Sequence, residues 1–241
     1  YLMMKRTVQQ MEKLQEVAGK QEMLMGALAH EMKTPLTSII GYSDTLRHVK
    51  LNDEQKDRAL EHISREGKRL EKLSGKMLQM LGLHQNDSIK MESHSIGELL
   101  EHVVQLEAEQ AAQRQIQLQT EYEDFSMKMD DELMESLLVN LIDNALRATE
   151  AGGRITVKAY KESGRKILEV ADNGRGIPQE ELGKITEAFY MVDKSRSRQE
   201  GGAGLGLALC VKIAEVHGGR LDITSQLGTG TKVRVIFDKK R

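Results

Sequence analysis

The sequence predicts an α+β chain: an N-terminal helical hairpin that pairs with a second copy into a dimeric four-helix bundle, then a two-layer α/β sandwich. Three observations predict it. Through the first ~84 residues apolar side chains recur at alternating steps of three and four, the spacing of a helical seam. Beyond about residue 95, period-two runs joined by glycine turns alternate with helical stretches, which suits a sheet covered by helices. The chain is 39% hydrophobic and 30% charged, with no Trp and 13 Met. Enough apolar matter is present for a core, but it is aliphatic and Met-rich, a mixture commoner in helical bundles than in rigid sandwiches.

The first seam runs Met4, Thr7, Met11, Leu14, Ala18, Gln21, Met25, Leu28 and Met32. The second runs Ala59, Ile63, Glu66, Leu70, Leu73, Met77 and Met80. A polar turn separates them, with Asn52 or Asp53 as N-cap and Glu54 behind it. One hairpin cannot bury both stripes, whereas two hairpins in a four-helix bundle can. A homodimer is therefore expected. The expected division is a coiled-coil helix over 1–21, a helical hairpin over 22–84, a hinge over 85–94 and a second domain over 95–241.

In that second domain Ser95 caps a helix to about Arg114, and strand-like segments follow near Ile116–Tyr122 and Phe125–Met129. An amphipathic helix is expected from Asp131 to Thr149. A hairpin, Arg154–Lys161 and Arg165–Ala171, turns at Glu162-Ser163-Gly164. Residues 172–206 are polar and Gly-rich with little periodicity. A helix to about His217 and a hairpin turned at Gly228-Thr229-Gly230 close the chain.

Charge and cysteine content narrow the functional classes. Thirty-five basic against 37 acidic residues give a net charge of −2, so there is no electrostatic case for nucleic acid. Cys210 is the only cysteine, which points to a reducing compartment. No run approaches the ~18 apolar residues of a membrane span. The chain is expected to be a cytoplasmic portion, with any membrane attachment through a segment outside it.

Chemistry concentrates in two places. His30-Glu31-Met32-Lys33-Thr34-Pro35 lies on the first helix. With Met25 and Leu28 at a and d, His30 falls at f, facing solvent. Pro35 has no N–H to offer the Glu31 carbonyl, so a bend is expected there. Thr34 lies one turn from His30 on the same face. A lone exposed His is usually a solubilising residue, and His48, His62, His84, His94, His102 and His217 are read that way. Beside His30, by contrast, a carboxylate can hold one ring nitrogen protonated and raise the nucleophilicity of the other.

In the second domain Asn140 and Asn144 stand one turn apart on a helix, with Arg147 three residues on. Amide oxygens on one face suit a hard cation that keeps its waters and bridges phosphates, as Mg²⁺ does. Two Asn within an apolar run (Leu137, Leu138, Val139, Leu141, Ile142) are poor helix formers and call for a reason beyond solvation. Asp172-Asn173-Gly174-Arg175-Gly176 follows an apolar strand; the carboxylate can accept from an exocyclic amine, and the glycines admit a flat ligand. Gly201-Gly202-Ala203-Gly204-Leu205-Gly206-Leu207 opens a helix whose free N–H groups can bind phosphate. Its spacing differs from the dinucleotide fingerprint and no strand precedes it, so a Rossmann reading is rejected.

Taken in order, these motifs resemble those of the sensor histidine kinases. His30 to Pro35 resembles the H-box, and the later motifs resemble the N, G1, F and G2 boxes of an ATP-binding domain whose fold is shared with gyrase-type ATPases. The resemblance covers about residues 22–237. It implies that His30 accepts the γ-phosphoryl of ATP, Glu31 acts as base and Thr34 supports removal of phosphate from a response-regulator receiver domain. It further implies that Asn144 ligates Mg²⁺ with Asn140 beside it, Arg147 contacts phosphate and Asp172 reads the adenine amine. Gly174, Gly176, Gly202, Gly204, Leu205, Gly206 and Leu207 belong to the glycine boxes. Phe189 and Tyr190 match the F-box, Lys194 begins a lid running to Gly202, and Thr231 supports the adenine contact. Many relatives carry an aromatic residue where this chain has Ala148, which implies a looser adenine pocket.

Two alternatives compete with this resemblance. Gyrase- and chaperone-type ATPases place a Glu where this chain has Asn140, and an amide cannot be a general base. An inactive dimeric scaffold would be expected to lack the acceptor His, the metal Asn or the glycines, all of which are present.

Overall fold

The structure is a computed structural model that describes residues 2–83, 89–193 and 202–238. It divides into two compact units, Tyr1–Gly75 and Lys76–Arg241. The division falls within the second helix, before the expected hinge.

The first unit holds α1, Leu2–His48, and most of α2, Asp53–Gly82. Asn52 caps α2: its Oδ1 accepts from the Gln55 N–H at 2.8 Å, while Gln55 Oε1 accepts from the Asn52 N–H at 3.0 Å. The reciprocal pair satisfies two N–H groups at once, and Asp53 and Glu54 add charge that suits the helix start. Pro35 lies inside α1, which continues to His48. Of the second seam, Ala59 and Leu73 are buried in this unit. The out-of-pattern Glu66 is explained by Arg69, whose guanidinium lies 3.6 Å from it.

The second unit is built on a five-stranded sheet, ordered β2-β4-β5-β7-β6. The strands are β2 Gln117–Tyr122, β4 Arg154–Glu162, β5 Arg165–Asp172, β6 Gly219–Gln226 and β7 Gly230–Phe237. β2 runs parallel to β4 and the other pairs are antiparallel. Among the described residues, three helices pack against the sheet: α3 Ile96–Gln113, α4 Asp131–Ala148 and α5 Gly206–Val216. The core between them includes Leu100, Leu137, Leu138, Ile142, Ile155, Val157 and Leu209, all below 1% exposed. Ser95 Oγ caps α3 by accepting from the Glu98 N–H, and Asp130 Oδ1 caps α4 by accepting from that of Leu133.

One strand lay hidden in the expected hinge. β1, Glu92–Ser95, pairs antiparallel with β3, Ser126–Met129, in a separate two-stranded sheet. Its sequence, Glu-Ser-His-Ser, has no apolar alternation to announce it. Among its described residues the Gly-rich stretch carries a short 3₁₀ turn, Gln179–Glu181.

Candidate active site

His30 is exposed on α1, as its heptad position requires, and Thr34 is exposed as well. Glu31 is buried, only 7% exposed. Its carboxylate lies 3.5 Å from the guanidinium of Arg69 on α2. A buried carboxylate needs a charged or hydrogen-bonding partner, and Arg69 supplies one while also facing Glu66. Sequence reading missed Arg69. The only available signal was Glu66 interrupting the seam three residues before it.

In the second unit, α4 and the start of α5 bring Asn140, Asn144 and Gly206 together. A Cβ placed on Gly206 would stand 3.3 Å from Asn140 Oδ1 and 3.6 Å from Asn144 Nδ2. Asn140 is buried, and its Nδ2 donates to the Ser136 carbonyl at 2.7 Å. Asn144 Nδ2 is buried without a hydrogen-bond partner. A buried amide N–H left unpaired costs about 1–3 kcal/mol, and such groups mark places where a ligand or ion completes the site. Where these two amides meet the first N–H groups of α5, the unpaired Asn144 N–H fits a phosphate oxygen, and the amide oxygens fit the bridging cation. Among the described residues no cluster of three acidic, His or Cys side chains could hold a metal by itself. Arg147 forks onto Asp143, Nε to Oδ1 at 3.2 Å and Nη2 to Oδ2 at 2.9 Å, so any phosphate would share it with that carboxylate.

Asp172 ends β5, opposite Thr231 on β7. Its Oδ1 accepts from the N–H groups of Gly174 at 2.9 Å and Thr231 at 3.2 Å. Burial pushes its carboxyl above the usual range, opposed by those two backbone bonds. Gly174 is required because a Cβ there would come within 2.3 Å of the Ala148 carbonyl oxygen. Gly176 has φ +70°, and a Cβ on it would lie 2.1 Å from the Gln226 carbonyl oxygen. Ser225 was not foreseen. Its Oγ accepts from the Ile177 N–H at 2.8 Å, donates to the Gly230 carbonyl at 2.9 Å and lies 2.8 Å from Thr231 Oγ1. One hydroxyl thus joins the Gly176 loop to the Thr231 strand.

Phe189 carries φ +66°, rare for an aromatic residue, and its N–H donates to the Gly204 carbonyl at 2.8 Å. A Cβ on Gly204 would strike the Phe189 backbone at 2.7 Å. The two motifs therefore lock backbone to backbone. Tyr190 donates its phenol to Glu181, which pushes the phenol's pKa up. Leu205 is buried, while Leu207 and Gly202 are half-buried. Lys194 and the rest of the expected lid before Gly202 lie outside the described residues. Cys210 is fully buried, with its thiol pushed up to about 12 by burial, which removes it as a nucleophile.

Comparison with known proteins matches residues 20–81 to the His Kinase A (phospho-acceptor) domain. Residues 129–241 match the histidine kinase-, DNA gyrase B-, and HSP90-like ATPase family. The chain is 34% identical over 228 residues to the sensor histidine kinase YkoH of Bacillus subtilis, covering 94% of this chain and 50% of that protein. It is 30% identical over 240 residues to the signal transduction histidine-protein kinase ArlS of Staphylococcus aureus, covering 94% of this chain and 51% of that one. It spans about half the length of these curated relatives. Among solved structures, histidine kinase ThkA in complex with response regulator protein TrrA aligns with a TM-score of 0.73 at 23% identity, over 90% of this chain and 61% of that one. At that identity the likeness shows the fold: helical hairpin, then α/β sandwich.

Proposed function

The chain belongs to the sensor histidine kinases, and from that premise we propose that it transfers the γ-phosphoryl group of ATP to His30 and then to an aspartate of a response regulator. The observation that carries this is the buried, unpartnered Asn144 amide beside the start of α5. It is a polar group left waiting for a ligand in a unit that also holds Asp172 at a strand end.

An unprotonated nitrogen of the exposed His30 ring attacks the γ-phosphorus in line. The P–N bond forms as the bond to the bridging oxygen breaks, and ADP leaves. Glu31, next to the ring in sequence, is the group assigned to the ring proton, and Arg69 fixes where its carboxylate starts. Asn140 and Asn144 would hold Mg²⁺ against the phosphates, where the ion supplies charge neutralisation. Asp172 orients the base through its fixed carboxylate, with Thr231 opposite it. A receiver-domain aspartate then takes the phosphoryl group from His30. ThkA, which shares the fold, has been seen with a response regulator, and this supports the same class of partner here. Thr34 is assigned to dephosphorylation of that partner by orienting water.

Asn140 also argues against a hydrolytic ATPase. Its amide is no general base, and its N–H is committed to the Ser136 carbonyl. His30→Gln should abolish acid-labile labelling by γ-labelled ATP, by at least about 100-fold, and leave nucleotide affinity unchanged. Acid-labile phosphate persisting on the variant would overturn the acceptor assignment. Thr34→Ala should keep autophosphorylation and slow decay of the phospho-regulator; equal decay rates would remove Thr34 from that role.

A further inference from the structure

We infer that Ser136 is a positioning residue for the nucleotide site, holding the Asn140 amide in register through a hydrogen-bond relay that ends on Gln79 in the last turn of α2. The inference rests on the nucleotide-binding reading given above.

The relay begins with the ambiguity of an amide. Asn140 can present either its oxygen or its NH₂ toward Gly206. One amide atom of Asn140 lies 2.7 Å from the Ser136 carbonyl oxygen. A carbonyl oxygen only accepts, so that atom must be the NH₂. Oδ1 is thereby forced to the opposite side, 3.3 Å from where a Cβ on Gly206 would be. The backbone carbonyl of residue 136 thus decides which amide atom faces Gly206, and the Ser136 side chain can only steady that arrangement against rotation of the amide.

Ser136 takes part with its hydroxyl as well. Its Oγ stands 3.5 Å from Asn140 Nδ2 and 3.0 Å from Gln79 Oε1, to which it donates. A mid-helix serine ordinarily gives its proton to the carbonyl one turn back. Here the proton leaves the helix for Gln79, which turns the oxygen lone pairs toward Asn140. The donors all run one way, from Asn140 to Ser136 to Gln79, an arrangement in which each bond polarises the next. All three residues belong to the compact unit Lys76–Arg241, where Met77 and Met80 on either side of Gln79 are buried.

The test uses the full chain and a non-hydrolysable ATP analogue, titrated calorimetrically with Mg²⁺ and again with EDTA in its place. Ser136→Ala should weaken binding about three- to tenfold with Mg²⁺ and leave the Mg²⁺-free affinity unchanged. Ser136→Thr, which keeps a hydroxyl, should restore affinity to within about twofold. Gln79→Leu should cause a similar Mg²⁺-dependent loss alone and no further loss on top of Ser136→Ala. Equal losses with and without Mg²⁺ would reduce Ser136 to a structural residue and overturn the inference, as would strictly additive losses. Unchanged affinity in Ser136→Ala and Gln79→Leu, with the wild type binding normally, would sink the relay alone. A wild type that binds no nucleotide would remove the functional reading and the relay with it.

Discussion

His217 commits both ring nitrogens. Nδ1 donates to the Ile213 carbonyl at 2.7 Å, and Nε2 accepts from the Asp130 N–H at 3.0 Å. The Asp130 N–H can only donate, so the ring must be neutral to fit. Burial accordingly pushes its pKa below 6.5, opposed by its bonds with Ile213 and Asp130. The unfolded chain then binds this proton more readily than the folded one. The stability contribution is complete above 6.5, falls as pH drops from 6.5 to the folded value, and is level below it. Thermal unfolding from pH 8 to 5 should show that loss, and His217→Gln should remove part of the slope; parallel profiles would refute it. Asn144 gives the opposite case, a residue whose loss should leave the fold intact. Its Nδ2 has no protein partner, so Asn144→Ala removes an unsatisfied group and should hold or raise the melting temperature. The same change should weaken Mg²⁺-dependent nucleotide binding about tenfold or more, since it removes an interaction with a charged ligand. A large drop in melting temperature with affinity intact would reverse the assignment.

At the scale of elements, the sheet shows what the sequence could and could not tell. Both hairpins were legible because period-two runs flank short turns at Ser163-Gly164 and Gly228. α3 was legible from its cap, Ser95, and α4 from its amphipathic run, whose cap Asp130 only the structure shows. β1 was not, being four polar residues made a strand only by its pairing with β3. Strand order was equally hidden. One row across the sheet reads Glu121, Lys158, Glu169, Arg234, Asp222, with opposite charges facing at every step. Such a ladder favours this register over a slipped one, yet its members are scattered over more than a hundred positions of sequence. The candidate site divides similarly. The glycine-rich motifs and the two Asn stood out in the sequence, whereas Ser225 and Ser136 act across elements with no local signature, and Arg69 had only the misfit Glu66 to point to it. The Gly176 loop offers a test at this scale. A methyl group at φ +70°, 2.1 Å from the Gln226 carbonyl oxygen, must push the loop away from β6. Gly176→Ala should cost about 1–3 kcal/mol and lower nucleotide affinity at least about tenfold, measured by chemical denaturation and calorimetry. A variant with wild-type stability and affinity would show that the loop yields freely.

At the scale of the whole molecule, α1 presents an apolar face to solvent. Among its described side chains, Met25 is 54% exposed, Met32 37%, Leu36 50% and Ile40 53%. Met25 and Met32 stand on the seam read from the sequence, one heptad apart, and Leu36 and Ile40 follow at steps of four. Isolated apolar residues on a surface are ordinary, but a continuous stripe along one helix is a face that belongs against another helix. The matched His Kinase A domain covers the same stretch, and a second copy of this hairpin supplies an equal stripe by symmetry. Burying such side chains is worth about 1.5–3 kcal/mol each, so four per copy can more than offset the entropy of association. Sedimentation equilibrium should therefore give twice the chain mass of 27.1 kDa at micromolar concentration. Replacing Met25 and Met32 with Glu places like charges across the seam, and the double variant should sediment as a single chain. Its nucleotide affinity should be unchanged, because the ATP-binding unit, Lys76–Arg241, contains neither residue. Autophosphorylation by the variant would then report whether the bundle is needed to present His30, and it should fall at least about tenfold if positioning is the main source of rate. A wild type that sediments at the mass of one chain would overturn the dimer and leave the exposed stripe without a partner.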